Sequence, residues 1–198
     1  MGSNEMKILV TGGNKGLGLS LVNQLGADSI SRIDGFDITK DVKDIAKKSL
    51  EYDVFINNAF DGPPQEEWAN FGQVQLLLEV YKQWSDAGKD GWIFNIGSIG
   101  ERFIVAPVPS FETYRVAKSA LAHASRQCTA AFKTDVVKFK TTLITPDRLD
   151  TELSRSRPSW TGNGVNCNDI VAFVNYATAL SNNTVVEEII LQVNFNSK

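Results

Sequence analysis

A tyrosine and a lysine four residues apart are the side chains of this sequence best suited to acid–base chemistry. They are Tyr114 and Lys118 in the segment Phe111-Glu-Thr-Tyr-Arg-Val-Ala-Lys118. Side chains at positions i and i+4 share one face of a helix, so an ammonium and a phenol at this spacing can lie together. The positive charge favours the phenolate and is expected to lower the pKa of Tyr114. The pair could therefore exchange protons with an alcohol or a ketone near neutral pH.

A glycine-rich turn near the start of the chain is suited to holding a dinucleotide. The segment is Thr11-Gly-Gly-Asn-Lys-Gly-Leu-Gly18, and its glycines at 12, 16 and 18 do not follow the G-x-G-x-x-G spacing. Glycine permits positive φ and a close approach of the backbone, and the N-terminus of a following helix favours a pyrophosphate. The turn directly follows a predicted strand, which strengthens the dinucleotide interpretation.

Strand-like and helix-like segments alternate along the chain. Strands are predicted at residues 7–11, 29–36, 52–56, 91–96, 140–145 and 185–193. Helices are predicted at residues 17–25, 41–50, about 65–86, 112–132 and 168–179, and a loop or lid at residues 147–168. This alternation predicts one Rossmann-type α/β domain over residues 1–198, with a doubly wound, seven-stranded, mostly parallel sheet and helices on both faces. Ligands of such sheets bind beyond the carboxyl ends of the strands, where the candidate motifs lie.

Six motifs follow one another along the chain: Thr11-Gly12-x-x-x-Gly16-x-Gly18, Asn57-Asn58-Ala59-Phe60, Asn70, Asn-Ile-Gly-Ser98, Tyr114-x-x-x-Lys118 and Pro146-Asp-Arg-Leu-Asp-Thr151. Their order and rough spacing resemble the short-chain dehydrogenase/reductase family over about residues 6–195. Phe60 and Asp147 each stand where the family's pattern has a glycine. The resemblance implies an NAD(P)-dependent oxidoreductase that interconverts a carbonyl compound and an alcohol by hydride transfer.

The resemblance implies a role for each of four candidate catalytic residues. Tyr114 would donate or accept the proton on the substrate oxygen, and Lys118 would lower the pKa of the tyrosine and bind the nicotinamide ribose. Ser98 would hydrogen-bond the substrate oxygen, and Asn70 would hold a water that links the lysine to solvent. An exposed helix amide is the alternative for Asn70. The implied cofactor-binding residues are Gly12, Asn14, Lys15, Gly16, Leu17, Gly18, Asp34, Asp37, Ile38, Asn58, Ala59, Tyr114, Lys118, Pro146 and Thr151.

Charged residues give opposing indications of NAD and NADP. Asp34 follows the second predicted strand, where a carboxylate would bind the adenosine ribose and repel a 2′-phosphate. Asp37 is a rival for this role, whereas Lys15 in the glycine turn would attract the phosphate. The sequence therefore gives a slight preference for NAD. Phe60 beside the adenosine half and Asp147 beside the nicotinamide could each weaken cofactor binding.

The composition is ordinary for a soluble globular protein, with 42% hydrophobic and 22% charged residues. A net charge of −3 over 198 residues gives no basic footprint, so nucleic acid is not an expected partner. No apolar run approaches the ~18 residues of a membrane span, and the first residues lack a signal-peptide core, so we expect a cytoplasmic protein. Cys128 and Cys167 fit no metal-binding spacing, and His123 is the one histidine, so we expect no metal site.

Two main functions of different classes, a third possibility and the assembly state remain open from the sequence. The first function is the oxidoreductase, and the second is a nicotinamide-dinucleotide-binding sensor or scaffold without turnover. A sugar-nucleotide reductase or epimerase is a third possibility, but it usually needs a larger C-terminal region. The helices at about 65–86 and 112–132 expose apolar residues on more than one side, which favours a homodimer or homotetramer over a monomer.

Overall fold

Strands and helices alternate throughout the described part of the chain. The computed structural model describes residues 6–60, 71–102, 112–158, 160 and 162–194. The strands are β1 (Ile8–Thr11), β2 (Asp28–Ile30), β3 (Val54–Asn57), β4 (Trp92–Ile96), β5 (Lys140–Pro146) and β6 (Glu188–Leu191). The helices are α1 (Gly16–Leu25), α2 (Val42–Ser49), α3 (Gly72–Asp86), α4 (Glu112–Lys133), α5 (Glu152–Arg155) and α6 (Cys167–Thr178).

The strands form one sheet in the order β2-β1-β3-β4-β5-β6, and every neighbouring pair is parallel. The described residues thus give six strands, so the predicted number of seven is wrong for this part of the chain. The predicted second strand, 29–36, is also too long. It ends at Ile30 because the chain turns into a 3-10 helix at Arg32–Asp34, which Gly35 closes with a φ of 84°.

Helices cover both faces of the sheet, which confirms the predicted doubly wound α/β fold. Every residue of β1, β3, β4 and β5 is buried, as expected for parallel strands enclosed on two sides. On one face α1 and α6 contribute Leu21 and Ile170 to the core. On the other face α2 and α3 contribute Ile45 and Trp84, which pack with residues of α4. The helices on the two faces leave the carboxyl ends of the strands as the place where the candidate motifs meet.

The chain reverses its direction across the sheet between β1 and β3. From β1 it moves outward to β2, and it then returns to the opposite side of β1 to form β3. Such a reversal opens a crevice at the carboxyl ends of the two central strands, where ligands of open α/β sheets bind. Those ends are Thr11 and Asn57. The glycine turn and residues 58–60 therefore border the crevice.

Two predicted boundaries on the C-terminal side differ from the structure. The helix predicted from residue 168 begins at Cys167, because its N-cap is Asn166, whose Oδ1 accepts the backbone N–H of Asn168 at 2.9 Å. The predicted loop at 147–168 contains the short helix α5. Thr151 caps this helix, since its hydroxyl accepts the N–H of Ser154 at 3.2 Å.

Candidate functional site

The glycine turn between β1 and α1 has a backbone that only glycine readily adopts. Gly12 and Gly16 have φ values of 73° and 54°, in the left-handed region that other residues avoid. A Cβ on Gly18 would lie 2.1 Å from the carbonyl oxygen of Gly12. No side chain caps the N-terminus of α1, so its first N–H groups suit an anion. Leu17, by contrast, places its side chain in the core.

Thr11 fastens the segment after β3 to the glycine turn. Its Oγ1 accepts the backbone N–H groups of Asn58 at 3.0 Å and Ala59 at 2.9 Å. The Nδ2 of Asn58 donates to the carbonyl oxygen of Thr11 at 2.9 Å. A Cβ on Gly12 would lie 3.0 Å from the Cβ of Ala59. The structure thus brings three predicted cofactor residues, Gly12, Asn58 and Ala59, to one place.

Ser98 and Tyr114 meet just beyond the carboxyl end of β4. A Cβ on Gly100 would lie 3.4 Å from the Ser98 hydroxyl oxygen and 3.8 Å from the Cε1 of Tyr114, so the two side chains lie close together. The Ser98 hydroxyl accepts the backbone N–H of Gly100 at 3.2 Å. Burial raises the pKa of Tyr114, while the Ser98 hydroxyl and the charge of Arg157 act in the opposite direction. The predicted lowering of this pKa is therefore wrong, because withdrawal of the phenol from water outweighs the groups that favour its ionised form.

Lys118 is buried in α4, and its ammonium makes two hydrogen bonds to other elements. Its Nζ donates to the Oε1 of Gln73 at 2.6 Å and to the carbonyl oxygen of Ile96 at 2.8 Å. The Nζ also lies 5.1 Å from the ring centroid of Phe60 and 5.8 Å from that of Tyr114. Burial lowers the pKa of Lys118 to about 7. The lysine lies beside the tyrosine, as the spacing predicted, but its hydrogen bonds connect it to α3 and β4.

Gln73 is a residue of this site that the sequence-based prediction missed. It is 1% exposed and lies in α3, between the ends of β3 and β4 and Lys118. Its sequence signal is a polar residue on an otherwise apolar stripe, since Leu76, Leu77 and Val80 follow at helical spacing and are fully buried. A buried amide normally has hydrogen-bond partners, which indicates a polar site behind the helix.

Phe60 lies beside Tyr114, the candidate proton donor. Its ring packs edge-on against Tyr114, with 5.0 Å between the centroids and an interplanar angle of 86°. The same ring lies beside the Lys118 ammonium, 5.1 Å from its Nζ. That Phe60 stands beside the adenosine half of a cofactor stays a prediction.

The acidic residues after β2 make hydrogen bonds within their own loop. The carboxylate of Asp34 is exposed and accepts the Ser31 hydroxyl at 2.7 Å. The Oδ1 of Asp37 accepts the hydroxyl and the backbone N–H of Thr39 at 2.6 and 2.8 Å, and these hydrogen bonds lower the pKa of Asp37. Ile38 is buried at 7% exposure and packs against α3. Both carboxylates therefore already accept hydrogen bonds from residues of their own loop.

Basic residues border the same end of the crevice. Asn14 donates from Nδ2 to the Ser31 hydroxyl at 2.8 Å, which joins the glycine turn to the end of β2. Arg32 follows Ser31 directly and lies nearer the strand end than Asp34, and its charge lowers the pKa of Asp37. Lys15 is exposed at the N-cap of α1. Arg32 was not among the predicted cofactor-binding residues. The sequence feature that could have identified it is a basic residue close after the second strand.

The segment after β5 completes the border of the crevice. Pro146 is the buried last residue of β5. A Cβ on Gly16 would lie 3.4 Å from the Cγ2 of Thr151, so this segment reaches the glycine turn. Asp147 is half-buried, and its Oδ1 accepts the backbone N–H of Arg148 at 2.8 Å. The carboxylate of Asp147 is therefore engaged within its own loop.

The remaining predicted residues lie away from the crevice or beyond the described part of the chain. Asn70 lies outside the described residues. His123 is exposed and hydrogen-bonded to Gln127, and Cys128 and Cys167 are buried free thiols. Among the described residues no three histidine, cysteine or acidic side chains form a group that could hold a metal. Within the same residues, none of the helices has the length and apolar character needed to cross a membrane.

Solved structures share this fold at low sequence identity. No family model matches the chain, and no curated protein matches it in sequence. An oxidoreductase of the short-chain dehydrogenase/reductase family from Burkholderia thailandensis is 15% identical, with a TM-score of 0.73 over 96% of this chain and 92% of its own. A 3-ketoacyl-(acyl-carrier-protein) reductase from Brucella melitensis, complexed with NADH, is 17% identical, with a TM-score of 0.71 over 96% of this chain and 97% of its own.

A third similar structure contains NADP in place of NADH. This short-chain dehydrogenase from Burkholderia cenocepacia, in complex with NADP, is 19% identical, with a TM-score of 0.69 over 94% of this chain and 88% of its own. The family resemblance inferred from the motifs is thereby confirmed at the level of the fold. The chain has the fold of the short-chain dehydrogenases/reductases.

Proposed function

We propose that this protein is an NAD(P)-dependent oxidoreductase that interconverts a ketone or aldehyde and the corresponding alcohol, with Tyr114 as general acid and base. The observation that carries the proposal is that Ser98 and Tyr114 lie close together beside buried Lys118. These three side chains come from the end of β4 and from α4, at the same sheet edge as the glycine turn. A hydroxyl, a phenol and an amine gathered at one crevice are suited to moving a proton to or from a substrate oxygen.

The residues at the switch between β1 and β3 fit a dinucleotide. The turn leaves no room for a Cβ at Gly18 and needs positive φ at Gly12 and Gly16. The uncapped N-terminus of α1 offers N–H groups and a partial positive charge to a pyrophosphate. Asn58, Ala59 and Thr151 border this turn. When bound there, a nicotinamide dinucleotide supplies or accepts the hydride of the reaction.

The side chains of the site would stabilise the substrate oxygen and transfer its proton. In the reducing direction Ser98 donates a hydrogen bond to the substrate carbonyl oxygen and stabilises the charge that develops on it. Tyr114 gives its proton to that oxygen and becomes a phenolate, which the charged form of Lys118 stabilises. In the oxidising direction the phenolate takes the proton of the alcohol. Asn70 keeps its predicted role of holding a water between Lys118 and solvent.

The identity of the dinucleotide follows from a balance of charges after β2. Asp34 opposes a 2′-phosphate, and we retain the slight preference for NAD on that ground. Arg32 and Lys15 favour NADP, and Arg32 lies closer to the strand end than Asp34 does. The similar proteins of known structure include one complexed with NADH and one with NADP. A titration with both cofactors therefore decides between them.

A nicotinamide-binding protein without turnover is the second candidate, and one feature of the site favours it. Burial raises the pKa of Tyr114, and Lys118 directs two hydrogen bonds to Gln73 and Ile96. Phe60 covers both side chains. A phenol held neutral and shielded in this way is slow to give up its proton. The oxidoreductase is preferred because a binding protein has no need of a serine hydroxyl placed next to that phenol.

A screen of carbonyl compounds with NADH and NADPH, followed by nicotinamide absorbance, tests the proposal. Oxidation of either cofactor that depends on the protein and on the compound supports the oxidoreductase. Micromolar binding of a cofactor with no turnover of any compound supports the sensor or scaffold. A single domain, a cytoplasmic location and a homodimer or homotetramer remain part of the proposal. Leu78 on α3 and Val116 on α4, at 52% and 58% exposure, are apolar residues available for such pairing.

A further inference from the structure

The side-chain amide of Gln73 can be oriented in only one way. Its Nε2 donates to the carbonyl oxygens of Asn57 at 2.9 Å and Ile96 at 3.4 Å. Both groups only accept hydrogen bonds, so they require the NH2 end of the amide. In the reversed orientation Oε1 would face two carbonyl oxygens, and the NH2 group would face an ammonium. The Oε1 is therefore the atom presented to the Nζ of Lys118, at 2.6 Å.

A buried network fixes the position of this amide. The backbone carbonyl of Gln73 accepts the Nδ2 of Asn57 at 2.9 Å, and that Nδ2 also donates to the Oδ1 of Asn95 at 3.0 Å. The Nδ2 of Asn95 donates in turn to the Ser125 hydroxyl at 2.8 Å. All four residues are at most 1% exposed. Hydrogen bonds in so dry an environment are stronger than in water and hold α3, β3, β4 and α4 in one arrangement.

The surroundings of the Lys118 ammonium contain no carboxylate partner among the described residues. It faces Gln73 from α3, the Ile96 carbonyl from β4, Phe60 from the segment after β3, and the titratable Tyr114 from its own helix. Burial lowers its pKa, and among the described residues no charge adds to this effect. A buried ammonium without an opposite charge depends on hydrogen-bond acceptors for its charged form. Gln73 supplies the side-chain acceptor.

We propose that Gln73 is a positioning residue of the candidate site, whose Oε1 holds the Lys118 ammonium beside Tyr114 and favours its charged form. Its relevance to turnover rests on the proposed oxidoreductase function. The contact itself requires neither substrate nor cofactor. Gln73 acts here by a direct hydrogen bond, which is distinct from the water-holding role predicted for Asn70.

The test is a direct titration of Lys118 by NMR in protein labelled with ε-¹³C lysine, with the signal assigned by its loss in Lys118→Arg. Gln73→Met keeps the length and shape of the side chain but removes the acceptor. Loss of a hydrogen bond to a charged group is expected to lower the titration midpoint of Lys118 by about one to two pH units. Gln73→Glu supplies a charged acceptor and is expected to move it toward alkaline pH. Gln75→Met, at an exposed position of the same helix, is the matched control and should leave it unchanged.

Opposite changes in the two Gln73 variants support the proposal, because a merely structural role would not reverse its direction with the charge of the acceptor. An unchanged titration in Gln73→Met overturns it, and so does an acid displacement in both variants. If Gln73→Glu does not fold, Gln73→Met decides by the first criterion. The expected displacement, together with no turnover of any carbonyl compound, leaves the Gln73 assignment standing and counts against the oxidoreductase alone. Where turnover is found, the midpoint of the pH dependence of kcat should move in each Gln73 variant in the same direction as the titration midpoint of Lys118.

Discussion

Phe60 and Tyr114 form an edge-to-face pair, with 5.0 Å between their ring centroids. The same phenylalanine ring lies 5.1 Å from the Lys118 ammonium. One apolar side chain thus helps to keep water from both members of the candidate acid–base pair. Removal from water disfavours the charged form of each group, which raises the pKa of the phenol and lowers that of the amine.

Truncation of Phe60 should bring the pKa of Tyr114 back toward its ordinary value. In Phe60→Ala water reaches the phenol, so the phenolate forms more readily. The absorbance of tyrosinate against pH, as a difference from Phe60→Ala/Tyr114→Phe, measures this change. The variant should also lose at least ~0.5–1.5 kcal/mol of stability, the contribution of an aromatic pair beyond its buried area. Phe60→Leu, which keeps an apolar cover, should alter the pKa much less, and equal pKa values in Phe60→Ala and wild type would exclude Phe60 as the shield.

Replacement of the Tyr114 phenol should separate catalysis from cofactor binding. Tyr114→Phe keeps the ring and its contact with Phe60 but deletes the exchangeable proton. Turnover should fall by ~10²–10⁴-fold, the usual contribution of a general acid or base, while cofactor affinity is retained. Tyr176→Phe on α6 is the control, because Tyr176 is 61% exposed and distant from the crevice in the fold. Near-normal turnover in Tyr114→Phe would show that another group carries the proton.

The buried Lys118 should make stability depend on pH in a defined direction. Its pKa falls from 10.5 to about 7 on folding, so between these values the unfolded chain binds more protons than the folded one. The cost of burying the ammonium is fully present below about pH 7 and disappears as the pH rises toward 10.5. The wild type should therefore gain stability relative to Lys118→Met over this range.

Urea unfolding of both proteins at several pH values measures this difference. The gain should be on the order of a few kcal/mol, since a tenfold change in a proton-binding constant corresponds to ~1.4 kcal/mol. Comparison with Lys118→Met removes the common contributions of other groups, such as Cys128, whose pKa burial raises to about 12. Lys82→Met is the control, because Lys82 is an exposed lysine on α3 that pairs with Asp86. A stability difference that stays constant with pH would contradict the depressed pKa.

Local sequence patterns were sufficient to locate the glycine turn, the serine after β4 and the Tyr114–Lys118 pair. Each lies at the end of a buried strand or on one helix face, and both features depend on neighbours in sequence. The topology then gathers them, because parallel strands share one carboxyl edge. The fold class was predictable for the same reason, although the second strand was predicted too long. Its end is set by the 3-10 helix at Arg32–Asp34, which follows almost directly, and not by residue propensity.

The electrostatics of the site could not be read from the same patterns. Lys118 is hydrogen-bonded to Gln73, which is 45 residues away in sequence, and Phe60 reaches Tyr114 from another strand end. The i, i+4 spacing correctly predicted adjacency, but the desolvation that determines both pKa values comes from elements packed on α4. The position of Arg32 nearer the strand end than Asp34 likewise depends on where β2 stops.

Cofactor preference should respond in opposite directions to changes of Asp34 and Arg32. We expect the wild type to bind NADH modestly more tightly than NADPH, because the Asp34 carboxylate opposes a 2′-phosphate. Asp34→Ala should then tighten NADPH binding, and Arg32→Ala should weaken it, with smaller effects on NADH. Fluorescence titration of each variant with both cofactors measures the preference, and Lys40→Ala, an exposed cation farther along the same loop, is the control. Tighter binding of NADPH by the wild type, lost in Arg32→Ala and unaffected in Asp34→Ala, would show instead that the cation after β2 determines the choice.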